Sequence, residues 1–313
     1  MRVVAIDLGG SPTPCAVAPS QRSRPCARTI ELLIQEKLQR NPDSPVCVGF
    51  FHGGIPDDQQ LAACDGRPIK LSVNPADLSR ADAERLLGAG VEAIDLELMT
   101  FSPHTLRTCR RGYTVQRVQA MATRLKEMGF KLGLHLVPGL PGSDVSDALR
   151  DAVIAATTEW VDYVRVWPAL GFQGTLLSQW AETGRWRPWD TRQAIDVIDK
   201  MLETLDEAQI PVVRIGIQPG QDIPVKATAG PIHPNLRGEI MSRRLGRQMR
   251  LALANVERGS RPAIAVNPRD LSAAKGTSNV NIRACEKLFD ISGLDIHEDE
   301  HVARGTVDLR QQT

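Results

Sequence analysis

Aromatic side chains are scarce in this 313-residue chain, only 4% of it. No stretch approaches the roughly 18 consecutive apolar residues of a membrane-spanning helix. The N-terminus lacks the charged, then apolar, then small-residue pattern of a secretory leader, so a cytoplasmic protein with no membrane partner is expected. Net charge is almost absent: 38 Lys and Arg against 37 Asp and Glu leave +1. That balance supplies no global field for nucleic acid or an acidic membrane, and only local patches stay open. The six cysteines, Cys15, Cys26, Cys47, Cys64, Cys109 and Cys285, show no paired spacing, so reduced thiols are expected in place of a disulfide framework. His-x3-His spacing is missing too; His52 and His233 are read as local hydrogen-bonding groups, with metal ligation or proton shuttling as the alternative. Internal repeats and low-complexity tracts are absent.

What the chain does contain is 42% hydrophobic residues, enough for one large core. It is organised around residues 93–142. An apolar-rich strand at 93–98 leads through a polar loop and short helix to Arg110-Arg111-Gly112, then to an amphipathic helix at 114–128 and a second strand at 132–137. Val115, Val118, Met121, Ala122 and Leu125 recur at helical spacing. The unit is βαβ, and parallel strands require such a crossover. In a parallel sheet, functional groups collect on the loops leaving the C-terminal strand ends. Asp95, Glu97, Thr100, Arg111 and the Pro138-Gly139-Leu140-Pro141-Gly142 loop lie at or near such ends. One of Asp95 and Glu97 is expected to face the barrel interior and the other the helices.

Strands are also expected at 3–7, 46–51, 69–73, 163–168 and 211–217. Helices are expected at 29–39, from 75 or 76 to 87, from 143 or 144 to 157, and at 190–207. Seven strand candidates alternating with helices predict a parallel α/β barrel or partial barrel over 1–220. Beyond it come a helical extension rich in arginine over 221–260 (Arg237, Arg243, Arg244, Arg247, Arg250) and a small α+β unit with a tail over 261–313. The Arg run is read as a solvated helix face, with docking of an anionic partner as the alternative. The five tryptophans are read as packing residues. Gly276 to Ile282 with its following helix faintly resembles the loop of a KH nucleic-acid module but lacks the second glycine, so nucleic acid at 261–300 ranks below a lid or interface piece.

Several stretches carry a family resemblance in order and spacing: 106–114 (Leu-Arg-Thr-Cys-Arg-Arg-Gly-Tyr-Thr), Gly129-Phe130-Lys131 through the 138–142 loop, Arg165-Val166-Trp167-Pro168 with Gly174-Thr175, 214–219, and 229–234. Over about residues 71 to 245 the chain resembles the radical S-adenosylmethionine superfamily. The branch is the one related to the elongator catalytic subunit and often named after oxygen-independent coproporphyrinogen oxidase. The resemblance implies a partial parallel βα barrel that holds a 4Fe-4S cluster and S-adenosylmethionine.

It also implies three cysteines, spaced Cys-x3-Cys-x2-Cys, in the loop after the first strand, since soft thiolates hold iron–sulfur clusters. Those positions read Ser11, Cys15 and Ala18 here, and Cys26 is the nearest further thiolate. Gly53 and Gly54 match the glycines that approach the methionine amino group. Residues 95–100, Asp-Leu-Glu-Leu-Met-Thr, stand where the family has Glu-x-Gly-x-Gln-Ser, and Asn74-Pro75 where it has Arg-Pro. The resemblance assigns cofactor contact to Gly53, Gly54, Asp95, Thr100, Arg111 and Arg165, and metal ligation to Cys15 and Cys26. Arg111 and Arg165 are equally read as structural ion-pair residues. Two functions stay open. One is a pseudoenzyme, acting as scaffold or regulator through a small-molecule ligand in the barrel or an active paralogue. The other is an active radical enzyme whose cluster is rearranged onto Cys15 and Cys26 or supplied by a partner.

Overall fold

The computed structural model describes residues 2–7, 28, 30–32, 34–35, 46–51, 55–216 and 227–310. The chain divides into two compact units, Met1–His233 and Pro234–Thr313, where boundaries near 220 and 260 were expected.

In the first unit the main strands are β1 (Arg2–Asp7), β2 (Val46–Phe51), β3 (Ile69–Val73), β4 (Val91–Met99), β5 (Lys131–Leu136) and β6 (Tyr163–Val166). A short β7 (Gly171–Phe172) follows, and β8 (Val212–Ile215) completes the set. One seven-stranded sheet takes the order β1-β2-β3-β4-β5-β6-β8, every neighbouring pair parallel. It is the parallel α/β architecture expected from the alternating strands and helices.

The two faces of this sheet differ in chemistry. Ile69, Leu71, Val73, Ile94, Leu96, Leu98, Leu132, Leu134, Leu136, Val164 and Val166 alternate with polar residues and are all buried. Alternate residues of a strand point to opposite sides, so these form one apolar face. The connecting helices supply matching apolar stripes, as in Val115–Glu127 with Val118, Ala122 and Leu125 buried. The other face carries Lys70, Ser72, Asp95, Glu97, Gly133, His135, Tyr163, Arg165 and Arg214. Asp95 and Glu97 therefore share a face, against the expectation of opposite sides, because residues two apart on a strand have the same orientation. Parallel sheets covered on both sides usually read as continuous apolar runs, so this polar layer marks a face with another task.

Local chemistry sets most boundaries. Thr114, Asp144, Thr175 and Asp190 cap the helices Val115–Glu127, Val145–Thr157, Leu176–Glu182 and Thr191–Glu207. The helix expected from residue 75 or 76 begins later, at Arg80. Asn74 accepts the Ala76 N–H on its side chain and the Asp77 N–H on its carbonyl, which makes a turn, and Ser79 with Asp82 forms the capping box. Helix Asp58–Ala62, capped by Asp57, was not anticipated. Nor was the ribbon pairing β7 with β9 (Ala227–Ala229), closed by a Ser178 to Thr228 hydroxyl contact of 2.8 Å.

In the second unit, helix Leu236–Ala252 contributes Leu245 and Met249 to a core with Leu253, Ile264, Val266, Cys285 and Leu294. Its three-stranded sheet has β10 (Ala263–Val266) in the middle, parallel to β11 (Asp295–Glu298) and antiparallel to β12 (Asp308–Arg310). The Arg-rich helix thus shares its core with the small sheet. No helix among the described residues is long and apolar enough to cross a membrane.

Candidate functional site

The polar face is built around Asp95, which is fully buried in the middle of β4. Its carboxylate accepts from Arg165 Nη1 at 2.6 Å and from the Tyr163 hydroxyl at 2.5 Å, and lies 3.2 Å from Lys70 Nζ. Sheet register makes this cluster: Ser72, Asp95, Gly133 and Tyr163 are neighbours across β3 to β6. Gly133 leaves room for it, because a Cβ there would sit 2.1 Å from both Asp95 Oδ1 and the Tyr163 ring. Burial, followed by the charge of Asp95, raises the Tyr163 pKa well above that of an ordinary phenol. Lys70 Nζ lies over the same ring, 4.1 Å from its centroid. Asp95 and Arg165, both expected at a cofactor, are thus bonded to each other, the ion-pair alternative foreseen for Arg165. Such a pair is costly to break from one side and contributes little net stability when intact.

Toward the C-terminal ends of the strands the layer becomes short of acceptors. Arg111 is 4% exposed; its Nε donates to the Tyr113 hydroxyl at 2.9 Å, and Nη1 and Nη2 have no hydrogen-bond partner among the described residues. The Tyr113 hydroxyl donates to the Glu97 carbonyl at 2.7 Å, which fixes Arg111 beside the end of β4. Burial pushes the Tyr113 phenol up to about 12, although the Arg111 charge pulls the other way. Glu97 is bonded by Ser72 Oγ at 3.1 Å. A buried guanidinium with both terminal nitrogens unanswered is expensive, and an incoming carboxylate or phosphate would satisfy it in bidentate fashion.

One row further on, His135, Arg165 and Arg214 are register neighbours on β5, β6 and β8. Trp167, just past β6, lies between them. Its ring is 4.6 Å from His135 edge-on, 5.0 Å from Arg165 and 5.2 Å from Arg214. Its Nε1 is buried without an acceptor among the described residues.

The loops at this end are held from behind. Gly139 accepts Trp186 Nε1 on its carbonyl at 3.0 Å, and its own φ of 84° leaves the Trp189 ring 3.0 Å from where a Cβ would stand. Thr105 Oγ1 donates to the Gly142 carbonyl. Thr100 is buried, bonded to Ser102 N–H and Asp151, and follows Met99, whose φ of 70° is strained for a side-chain-bearing residue. Tryptophans 160, 180, 186 and 189 are buried, in line with a packing role.

Of the residues singled out from sequence, Ser11, Cys15, Ala18, Cys26, His52, Gly53 and Gly54 lie outside the described residues. The cysteines whose side chains are described, Cys64, Cys109 and Cys285, are buried thiols outside any disulfide, and Cys64 and Cys109 donate to the Gln60 and Pro141 carbonyls. No group of three or more His, Cys, Asp or Glu among the described residues is placed to hold a metal. Lys70, Tyr113, His135, Tyr163, Trp167 and Asp151 were not singled out as site residues. The first five could have been found from period-two alternation with Leu and Val, or, for Tyr113, from its place beside Arg111. Asp151 carries no local signal.

Residues 27–152 match the model described as the Radical SAM superfamily, and residues 161–245 match the Radical_SAM C-terminal domain. The chain belongs to the radical S-adenosylmethionine superfamily. One relative is the tRNA uridine(34) acetyltransferase of Methanocaldococcus jannaschii, 28% identical over 130 residues, 41% of this chain and 24% of that protein. Another is Elongator complex protein 3 of Saccharomyces cerevisiae, 25% identical over 193 residues, 59% of this chain and 32% of that protein. The chain therefore spans about a quarter to a third of the length of these radical SAM relatives. The solved structure of archaeal Methanocaldococcus infernus Elp3 with an N-terminal deletion aligns with a TM-score of 0.59 at 19% identity, over 76% of this chain and 61% of that one. That likeness shows the shared fold.

Proposed function

We propose that this radical SAM protein has lost standard three-cysteine cluster ligation and keeps an anion-binding site at the C-terminal ends of β4 to β6. Through that site it serves as a scaffold or regulatory partner of an active radical enzyme of the same superfamily, in the cytoplasm. The observation that carries the reading is Arg111, buried with two guanidinium nitrogens that have no acceptor among the described residues. The Trp167 indole N–H is a third donor without an acceptor among the described residues. A ligand suited to such a place is acceptor-rich and anionic, and the α-carboxylate of S-adenosylmethionine has that chemistry. The donor set does not suit a standard cluster: a serine hydroxyl at Ser11 and a methyl at Ala18 do not substitute for thiolates.

A second reading has its own support, the two thiols Cys15 and Cys26 within the stretch joining β1 to β2. On that reading the protein is an active enzyme with a rearranged or partner-supplied cluster. Anaerobic reconstitution with iron and sulfide separates the two. A colourless, folded protein whose melting temperature rises with S-adenosylmethionine through Arg111 supports the scaffold. A brown protein with stoichiometric iron that is lost in Cys15→Ala overturns it in favour of the enzyme.

A further inference from the structure

Two residues of opposite charge are joined through Tyr113 without touching each other. The Tyr113 hydroxyl takes the Arg111 Nε–H at 2.9 Å and donates its own proton to the Glu97 carbonyl at 2.7 Å. Arg111 is 4% exposed, and its Nη1 and Nη2 have no acceptor among the described residues. The Glu97 side chain is partly buried, and among the described residues its carboxylate takes one hydrogen bond, from the neutral Ser72 hydroxyl at 3.1 Å. Lys70 and Arg165, cations of the same sheet face, are ion-paired with Asp95 instead. Glu97 follows Asp95 by two residues on that face and so stands nearer the C-terminal ends of the strands.

A carboxylate and a guanidinium that both lack charged partners would ordinarily pair, because each is costly to desolvate alone. Here each is hydrogen-bonded to a neutral hydroxyl, with Tyr113 between them, so one end of the place calls for an anion and the other for a cation. The family pattern has glycine where this chain has Glu97, so the carboxylate is an addition of this sequence.

We propose that Glu97 is a specificity-determining residue of the Arg111 site and that the ligand class is an α-amino acid zwitterion. Its carboxylate lies on Arg111 and its ammonium on Glu97, as methionine or the methionyl end of S-adenosylmethionine would present them. The inference rests on the anion-site reading of Arg111 and adds a cation arm to it. An α-amino acid carries both charges on one carbon, which suits groups set on either side of a single phenol. A simple anion fits half of the place only: Arg111 attracts it and Glu97 repels it.

Calorimetric titration of the full chain in the absence of iron, with S-adenosylmethionine and with inorganic phosphate as an anion lacking a cation, tests this. Glu97→Gln keeps an oxygen for the Ser72 hydroxyl and removes only the charge. It should weaken S-adenosylmethionine by about tenfold or more and tighten phosphate by about threefold. Opposite signs on two ligands do not arise from a general loosening of the site. A change of the same sign for both ligands, or no change for either, would overturn the cation arm and leave the anion reading standing. Arg111→Met should abolish binding of both; if it binds both as the wild type does, the anion site fails and the cation arm falls with it. In the wild type alone, L-methionine should bind more tightly than methylthiobutanoate, which differs only in lacking the ammonium. Equal affinity for the two would overturn the proposal whether or not the variants fold.

Discussion

Replacing Arg111 by methionine should stabilise the ligand-free protein while abolishing its response to anions. Methionine keeps much of the aliphatic volume and removes the charge. Two buried nitrogens without acceptors among the described residues lose their hydrogen-bonding demand, worth about 1–3 kcal/mol each. Against this stand the Nε bond to the Tyr113 hydroxyl, about 1.5–3 kcal/mol for a charged donor, and the contact of Arg111 with the Tyr113 ring, about 0.5–1 kcal/mol. Tyr113 keeps its own bond to the Glu97 carbonyl, so the loss stops there. Mid-range values leave a gain of about 1 kcal/mol, or roughly 2–4 °C in melting temperature for a unit of this size. Calorimetric melting with and without S-adenosylmethionine, or inorganic phosphate as a simpler anion, reads both halves. At a ligand concentration one hundred times Kd the wild type should gain about 2.7 kcal/mol and the variant nothing. If R111M instead melts several degrees lower without ligand, Arg111 is an ordinary structural residue and the anion-site argument fails.

Three further outcomes follow from the polar face. Gly133→Ala places a Cβ 2.1 Å from Asp95 Oδ1 and the Tyr163 ring; the overpacking should cost about 3 kcal/mol, and an unchanged urea midpoint would show that the cluster is looser than described. Asp95→Leu leaves Arg165 buried without its carboxylate and should cost about 3–5 kcal/mol, most of it recovered in the double variant Asp95→Leu/Arg165→Met; no recovery would mean that the ion pair is not the main partner. The chain has two tyrosines, Tyr113 and Tyr163, both with raised pKa. Because the folded state holds both protons above the ordinary phenol value of 10.0, their contribution to stability is complete below that pH and is lost as pH rises through the folded values, about 12 for Tyr113. Tyrosinate absorbance should therefore appear only together with alkaline unfolding, and a reversible phenol titration near pH 10 with the circular dichroism intact would contradict both environments.

Much of the fold was legible because its signals are local and repeated. Asp144 and Asp190 stand immediately before their helices and cap them as their residue type suggests. Strands β3 and β10 begin and end where their apolar runs do. The misses have one local cause and two long-range ones. The chain from Asn74 to Ser79 carries two competing helix-start signals, and the asparagine turn takes the first of them. The β7 to β9 ribbon pairs residues more than 50 apart, which no window along the sequence registers. The place of helix Leu236–Ala252 likewise depends on partners as far away as Leu294.

The site was legible to a different depth, and the reason lies in what a period of two can say. Leu132, Leu134 and Leu136 announce an apolar face, and the residues alternating with them, Lys131, Gly133 and His135, must then share the other one. The same alternation in 69–73 and 163–166 puts Lys70, Ser72, Tyr163 and Arg165 on one surface from sequence alone. It does not say which members neutralise each other. Asp95 and Arg165 carry charges suited to a cofactor, yet register sets them 2.6 Å apart, and each removes the other's availability. Arg111 differs because the loop after helix Pro103–Thr108 turns it toward Tyr113, an uncharged partner, and no ion pair answers its charge among the described residues. What separates a binding arginine from a structural one in this protein is therefore the acceptor beside it, a property of strand register and loop direction that residue type alone does not carry.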